Sequence, residues 1–232
     1  MSIDGNLSGK ISDKKLLFQG AEAKIYKSKW NDKITIIKQR FTKIYRHPIL
    51  DKRLRIQRSN AEVKSLKKAK EIGINVPDVY YYDKQNACIH MEYIECDNVK
   101  TILNKYYDKN NKKYNDKCKD IVGIMGKYIG KMHGCDMIHG DLTTSNMLYN
   151  EDNKILYLID FGLAQQGSAK WEQKAVDLYV MERAFISTHP DSECLIDVFY
   201  SNYKDNYKSG QKTVMKRLEN VRMRGRKRSM IG

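Results

Sequence analysis

The stretch His139-Gly140-Asp141-Leu142-Thr143-Thr144-Ser145-Asn146 decides the reading of this chain, together with Tyr157-Leu158-Ile159-Asp160-Phe161-Gly162 just after it. An acid, an amide five residues on and a second acid at the end of a short apolar strand are the groups that a Mg-nucleotide site needs. Asp141, in a turn after a long helix, is placed to accept or orient the proton of an attacking hydroxyl. Asn146 offers an amide oxygen to a metal, and Asp160 offers a carboxylate beside Gly162. Asp-Phe-Gly alone is weak. The pair H-G-D-x-x-x-x-N and I-D-F-G, separated by a turn and a strand, is specific.

Upstream, the remaining needs of phosphoryl transfer find candidates in a workable order. Lys38 ends the β-branched run Ile34-Thr35-Ile36-Ile37-Lys38, and a strand-borne lysine can reach nucleotide phosphates as a compact charge. Glu62 sits inside the following helix and can hold that lysine. Taken singly, each reads better as a surface residue; their order before the two later motifs reverses that. Gln19-Gly20-Ala21-Glu22-Ala23 lies where a phosphate-covering loop is expected. It has one glycine instead of G-x-G-x-x-G, and Glu22 adds a negative charge there.

Composition sets the outer bounds. The chain has 232 residues, enough for one sizeable core or two small lobes sharing a cleft. The net charge of +15 suits nucleic acid, an acidic protein face or a polyphosphate, or it is a solvated lysine-rich surface. The five cysteines, Cys88, Cys96, Cys118, Cys135 and Cys194, form no C-x-x-C and read as reduced thiols. His133, Cys135 and His139 lie close in sequence, but no fourth zinc ligand is evident. No stretch has the length and apolarity of a membrane span, so the expectation is a soluble protein of cytoplasm and nucleus.

The first half reads as strands with one helix. Leu16 to Ile25 suggests strand, turn and strand; Arg53 to Glu71 has helical spacing ended by Gly73 and Pro77; Val79–Tyr82 and Ala87–Ile94 form a hairpin. The second half reads as helices over Lys100–Tyr107, Asp116–Met132, Ala169–Phe185 and residues 193–220, with a strand at Ile155–Ile159. Lys105 to Lys119 reads as a solvated loop. The expected fold class is α+β: a reduced two-lobed protein-kinase-like fold with a β-rich N-lobe and a small helical C-lobe. The expected limits are a flexible N-terminus at 1–15, the N-lobe at 16–95, the C-lobe at 96–221 and a basic tail at 222–232.

These residues carry a family resemblance. From about Leu17 to Gly232 the chain resembles the small atypical kinase subunits of the KEOPS/EKC complex, the Bud-thirty-two family related to RIO kinases. The matching pieces are Gln19-Gly20-Ala21-Glu22-Ala23, Lys43-Ile44-Tyr45-Arg46-His47-Pro48-Ile49-Leu50-Asp51, Ala61-Glu62, the loop His139 to Asn146 and Lys174-Ala175-Val176-Asp177-Leu178-Tyr179. The ending Arg224-Gly225-Arg226-Lys227-Arg228-Ser229-Met230 also matches. The resemblance implies an activity dependent on ATP and Mg²⁺, either serine/threonine phosphorylation or ATP hydrolysis, in support of threonylcarbamoyladenosine formation on tRNA. It implies Lys38 on phosphate, Glu62 paired with it, Asp141 as base, and Asn146 and Asp160 on metal. ATP would also meet Leu17, Gly20, Ala21, Ala23, Ile25, Glu92 and Ile94. The partners implied are a Kae-type threonylcarbamoyl-transferase subunit on the C-lobe, a small accessory subunit on the N-lobe, and tRNA.

Departures from ordinary kinases sharpen that picture. Gly140 stands where most protein kinases carry arginine, the usual partner of a phosphorylated activation loop. No A-P-E follows Asp160, so no ordinary activation-loop switch is expected. The tail places Arg222, Arg224, Arg226, Lys227 and Arg228 within seven residues. It reads as a disordered arm on RNA phosphates, a nuclear-import run or charged fraying. A second cluster, Arg40, Lys43, Arg46, Lys52, Arg53, Arg55 and Arg58, reads as an RNA or partner surface or as a solvated helix face. Two alternatives stay open: a freestanding protein kinase, and an aminoglycoside-type small-molecule phosphotransferase, which also uses H-G-D.

Overall fold

A computed structural model describes residues 11–229 of the chain, with side chains from 14 to 225. The chain divides into two compact units. The first comprises the residues up to Val63 with Pro77–Ile94, and the second comprises Lys64–Val76 with the residues from Glu95 onward.

The first unit is a five-stranded antiparallel sheet with one helix. Strands β1 (Ile11–Gln19), β2 (Ala23–Trp30) and β3 (Lys33–Arg40) precede helix α1 (Pro48–Glu71), which is followed by β4 (Val79–Asp83) and β5 (Cys88–Glu92). The strand order is β1-β2-β3-β5-β4. Asn31 and Asp32 join β2 to β3, both at positive φ, the conformation a two-residue hairpin turn demands. Val63 of α1 packs with Ile89 and Met91 of β5, and Ile36, Val79 and Tyr82 close that core. On the sheet, Trp30 stacks on Tyr81 at 5.2 Å between ring centroids.

Two boundaries in this unit differ from the sequence expectation. Pairing of β1 starts at Ile11, inside the segment 1–15 expected to be flexible. Helix α1 starts at Pro48, five residues before the expected Arg53, because proline suits the first helical position and the Asp51 amide already donates to the His47 carbonyl.

The second unit is mainly helical. It contains β6 (Asp97–Asn98), α2 (Val99–Lys105), β7 (Tyr107–Asp108), β8 (Lys113–Tyr114), α3 (Asp116–Gly134) and β9 (Met137–Ile138). A 3-10 turn at Thr144–Asn146 leads to β10 (Met147–Asn150), β11 (Ile155–Leu158), β12 (Gln165–Gln166), α4 (Trp171–Thr188), α5 (Glu193–Asn206) and α6 (Gln211–Ser229). The segment Lys64–Val76 groups with this unit and not with the expected 16–95 lobe: the Leu158 amide donates to the Asn75 carbonyl at 2.9 Å, and the Asn75 side chain donates to the Tyr128 hydroxyl at 2.7 Å.

Helix α3 is the spine of this unit. Ile121, Val122, Met125, Ile129 and Met132 are buried along it, and Asn115 caps it by accepting from the Cys118 amide. It lies hard against α5, since a Cβ on Gly126 would stand 2.3 Å from the Phe199 carbonyl oxygen. The stretch Lys105 to Lys119, expected as a solvated loop, holds the β7–β8 hairpin, in which Tyr107 and Tyr114 pair with ring centroids 5.0 Å apart.

The end of the chain overturns the disordered-arm reading of 222–232 as far as Ser229, because α6 runs through the basic stretch. Val214, Leu218 and Val221 are buried on one stripe. Arg222 continues the helix with its guanidinium on Glu182, at 3.0 Å from Nε to Oε1, and on Glu219. Arg224 pairs with Glu172. So Arg222 and Arg224 are committed to carboxylates within the chain. The side chains of Arg226, Lys227 and Arg228 lie outside the described residues.

Candidate active site

In the first unit the chemistry centres on one buried carboxylate. Lys38 Nζ donates to Glu62 Oε1 at 2.5 Å, and Arg40 Nη2 donates to Glu62 Oε2 at 2.8 Å. Strand period places Lys38 and Arg40 on one face of β3, and helix period places Arg58 and Glu62 on one face of α1. Arg40 also donates to Glu22 at 3.2 Å, and Arg58 donates to the other Glu22 oxygen. The chain Lys38–Glu62–Arg40–Glu22–Arg58 therefore runs from the strand to the turn after β1.

The Lys38–Glu62 pair matches the sequence expectation, while the charge of Glu22 does not stand alone. The hydrogen bond from Arg58 is foremost in holding its carboxyl below the usual range, with Arg40 and Lys43 adding to it. The turn itself is tight, the Gly20 amide donating to the Ala23 carbonyl at 2.9 Å. Ile25 lies opposite Lys38 across β2 and β3. Leu17 falls at a bulge in β1, between Leu16 and Phe18 in the pairing with β2. Glu92 closes β5, its amide donating to the Asp78 carbonyl at 2.8 Å, and Ile94 follows two residues on.

In the second unit the loop is built around Asn146. Its side-chain nitrogen donates to the Asp141 carbonyl at 2.9 Å and to Asp141 Oδ2 at 3.0 Å. Both amide hydrogens are thus on Asp141, which leaves Asn146 Oδ1 as an acceptor for a cation. The Ile159 amide donates to the Asn146 carbonyl at 3.0 Å, tying the loop to the strand that delivers Asp160. Asp160 adopts φ +60°, a left-handed conformation that short polar side chains tolerate.

His139 is a strut and not a reacting group. It is fully buried, and its Nε2 stands 3.0 Å from the Ile159 carbonyl while the Asp141 amide donates to its Nδ1. A carbonyl only accepts and an amide N–H only donates, so Nε2 carries a proton and Nδ1 accepts. His133 hydrogen-bonds Tyr203 and Asp177. Among the described residues no three His, Cys, Asp or Glu side chains converge on a metal. Asn146 and Asp160 nevertheless suit Mg²⁺, which takes few protein ligands and completes its shell with phosphate and water.

The loop is held from below by α4. Asp177 Oδ2 accepts from the His139 amide and Oδ1 from the Gly140 amide, each at 2.9 Å. Burial alone would raise this carboxyl, but the bond from His133 and those amides hold it low and ionised. One turn before it, the buried Lys174 donates to Asp136 at 2.6 Å and to the Tyr207 hydroxyl at 3.0 Å. The loop is also braced by His189, which lies 2.9 Å from Thr144 Oγ1 and 3.0 Å from Asn104 Oδ1.

Gly140 is explained by sterics. It has φ +83°, and a Cβ there would lie 2.4 Å from the Leu163 carbonyl oxygen. An arginine at this position is excluded by this backbone, whatever its charge would do. Local spacing could not reveal His189, which meets the loop from 45 residues after Thr144, or Asn104, which holds His189 from 85 residues before it. Arg40 was within reach of a period-two argument from Lys38.

The RIO domain family matches residues 18–183. The EKC/KEOPS complex subunit bud32 of Dictyostelium discoideum is 46% identical over 94% of this chain and 84% of its own length. The EKC/KEOPS complex subunit Tp53rkb of Mus musculus is 40% identical over 96% of this chain and 91% of its own. Among solved structures, WaaP, determined in complex with acyl carrier protein, superposes with a TM-score of 0.59 at 11% identity, covering 91% of this chain and 88% of that one. That likeness concerns the protein-kinase-like fold alone. With the match over most of its length, the chain belongs to the RIO domain family and, within it, to the group of kinase-like proteins whose members are named EKC/KEOPS complex subunits.

Proposed function

We propose that the chain is the atypical kinase and ATPase subunit of an EKC/KEOPS-type complex, using Mg²⁺ and ATP to support threonylcarbamoyladenosine modification of tRNA. The observation that carries this reading is the fixing of Asp141 by Asn146 at 2.9 and 3.0 Å. A base aimed by an amide whose oxygen is left for a cation is what phosphoryl transfer to a hydroxyl or to water requires.

In this reading Lys38, held by Glu62, binds phosphate oxygens, and the backbone of the Gly20 turn covers them. Leu17, Ala21, Ala23 and Ile25 line the nucleotide, and the backbone of Glu92 and Ile94 meets the adenine. Asn146 and Asp160 hold Mg²⁺, which when bound neutralises charge on the phosphates. Asp141 takes or orients the proton of the acceptor. Gly140 leaves no arginine to read a phosphorylated loop, which favours control by partner subunits. A transferase subunit on the helical unit and a small accessory subunit on the sheet unit are the proposed partners. Exposed apolar side chains on each support this: Ile186 and Val176 on α4, Phe18 and Leu16 on β1. Tail contact with tRNA is proposed for Arg226, Lys227 and Arg228 alone.

The test is turnover of Mg-ATP by the purified chain, with and without tRNA. Asp160→Ala is expected to abolish hydrolysis and autophosphorylation, and Asp141→Ala to cut them about 10²-fold or more. Full activity in both variants would sink the assignment. Co-purification from the native cell separates the complex from a freestanding kinase, which would come away alone.

A further inference from the structure

The cation cluster of the first unit surrounds a small, partly open cleft lined by Arg40, Lys43, Arg46, Arg55, Arg58 and Glu22, with Phe41 and Leu54 beside them. Five cations face one carboxylate there. The outer acids do not cancel the excess, because Glu62 is shared between Lys38 and Arg40, and Asp51 between Arg55 at 2.7 Å and Arg46 at 3.9 Å. A second, independent observation points the same way. Arg40 is 5% exposed, and its Nε is buried with no hydrogen-bond partner among the described residues. A buried guanidinium N–H without an acceptor is costly, and an anionic oxygen is the acceptor best matched to it.

The rim of the cleft carries an aromatic ring. Tyr45 is 77% exposed, with Lys43 Nζ 5.6 Å and the Arg46 guanidinium 5.5 Å from its ring centroid. Lys52 and Arg53 extend the cations along the exposed side of α1. A single phosphorylated side chain would use the pocket and leave the ring and the row of cations idle. A nucleic-acid strand uses all three: one phosphate in the pocket, its neighbours along the row and a base on the ring.

We propose that this cleft is an oxyanion site that receives one backbone phosphate of an RNA, with Tyr45 stacking an adjacent base. Glu22 and Glu62 already share Arg40, so a phosphate arriving at Arg40 enters the same charge network that holds Lys38. The RNA docks where it is electrically connected to the nucleotide-binding lysine. This rests on the reading of an RNA partner proposed above and adds where the RNA sits.

The test is fluorescence-anisotropy binding of tRNA to the full chain across a salt series. The proteins are the wild type, Lys43→Gln/Arg46→Gln, Tyr45→Ala and the control Lys84→Gln, an exposed lysine in the β4–β5 turn. The double variant is expected to bind about tenfold more weakly, with a log–log salt slope shallower by about 0.7 for each phosphate it no longer neutralises. Tyr45→Ala is expected to weaken binding at unchanged slope. Thermal melts confirm that each variant is folded, since neither Lys43 nor Arg46 is a buried side chain. Wild-type binding with all variants equal to Lys84→Gln overturns this site and leaves the RNA partner standing. Failure of the wild type to bind tRNA overturns both. The site is also overturned if a phosphoserine peptide displaces the tRNA more effectively than unlabelled RNA does. It falls equally if inorganic phosphate stabilises the wild type over the double variant while their tRNA slopes coincide.

Discussion

The two units hold their functional side chains by different physics. In the first, Lys38, Glu62, Arg40, Glu22 and Arg58 form a chain of ion pairs between long side chains. In the second, Asp177 holds two backbone amides and a histidine, Asn146 holds Asp141, and Gly140 sits in a space with no room for a Cβ. Long side chains re-pair when one partner is removed or an anion arrives. Backbone amides and close-packed carbonyls have no second arrangement. The difference suits the roles: the groups on phosphate adapt to ligands, and the loop that aims Asp141 stays preorganised.

The largest expected break in this comparison is Asp177→Ala. It leaves two amides and the buried His133 without an acceptor, and should cost about 4 kcal/mol in urea unfolding. Glu62→Ala takes one shared carboxylate from Lys38 and Arg40, but Glu22 remains for Arg40, so about 3 kcal/mol is expected. Equal losses in the two variants would erase the distinction between an adaptable and a rigid site.

A glycine pair comes next. Gly140→Ala should cost about 2 kcal/mol, because its Cβ meets the Leu163 carbonyl at a positive φ. Gly20→Ala meets only the Phe18 ring edge at 3.2 Å, in an exposed residue that can turn aside, and should cost under about 1 kcal/mol. Chemical denaturation of both variants reads the contrast directly.

Arg222→Ala probes the end of the chain. Its pairing with Glu182 is only partly exposed, so a loss of about 1 kcal/mol is expected, seen as a lower thermal midpoint. A midpoint equal to the wild type would return Arg222 to the status of a loose cation.

The smallest effect at neutral pH is a protonation one with a member in each unit. Burial holds the imidazoles of His90 and His189 down to about 4, from 6.5. The unfolded chain therefore takes the proton first. Stability from these groups is complete above 6.5 and drains away as pH falls toward 4. Thermal midpoints between about pH 7 and about pH 4.5 should show His189→Gln with a flatter dependence than the wild type. An identical slope would show that His189 is not neutral in the fold.

What the sequence carried was local. The spacing of Asp141, Asn146 and Asp160 encodes a turn and a strand end, and the alternation around Lys38 encodes a strand. Chemistry that lives on such short stretches is visible without a fold. The same logic misjudged α1, because the turn before Pro48 is fixed by contacts and not by apolar spacing. It misjudged the tail as well, because an apolar stripe of Val214, Leu218 and Val221 carries the helix into the basic run.

What the tertiary structure alone decided is which charges are free. The sequence shows a surplus of cations but not that Glu22 is neutralised by Arg40 and Arg58, or that Arg222 belongs to Glu182. Nor does it show that Asp177 and His189 hold the loop from 37 and 45 residues away. Ion pairs and struts of that kind depend on how distant elements pack. Local periodicity records which face a residue occupies and is silent on what the chain brings to meet it.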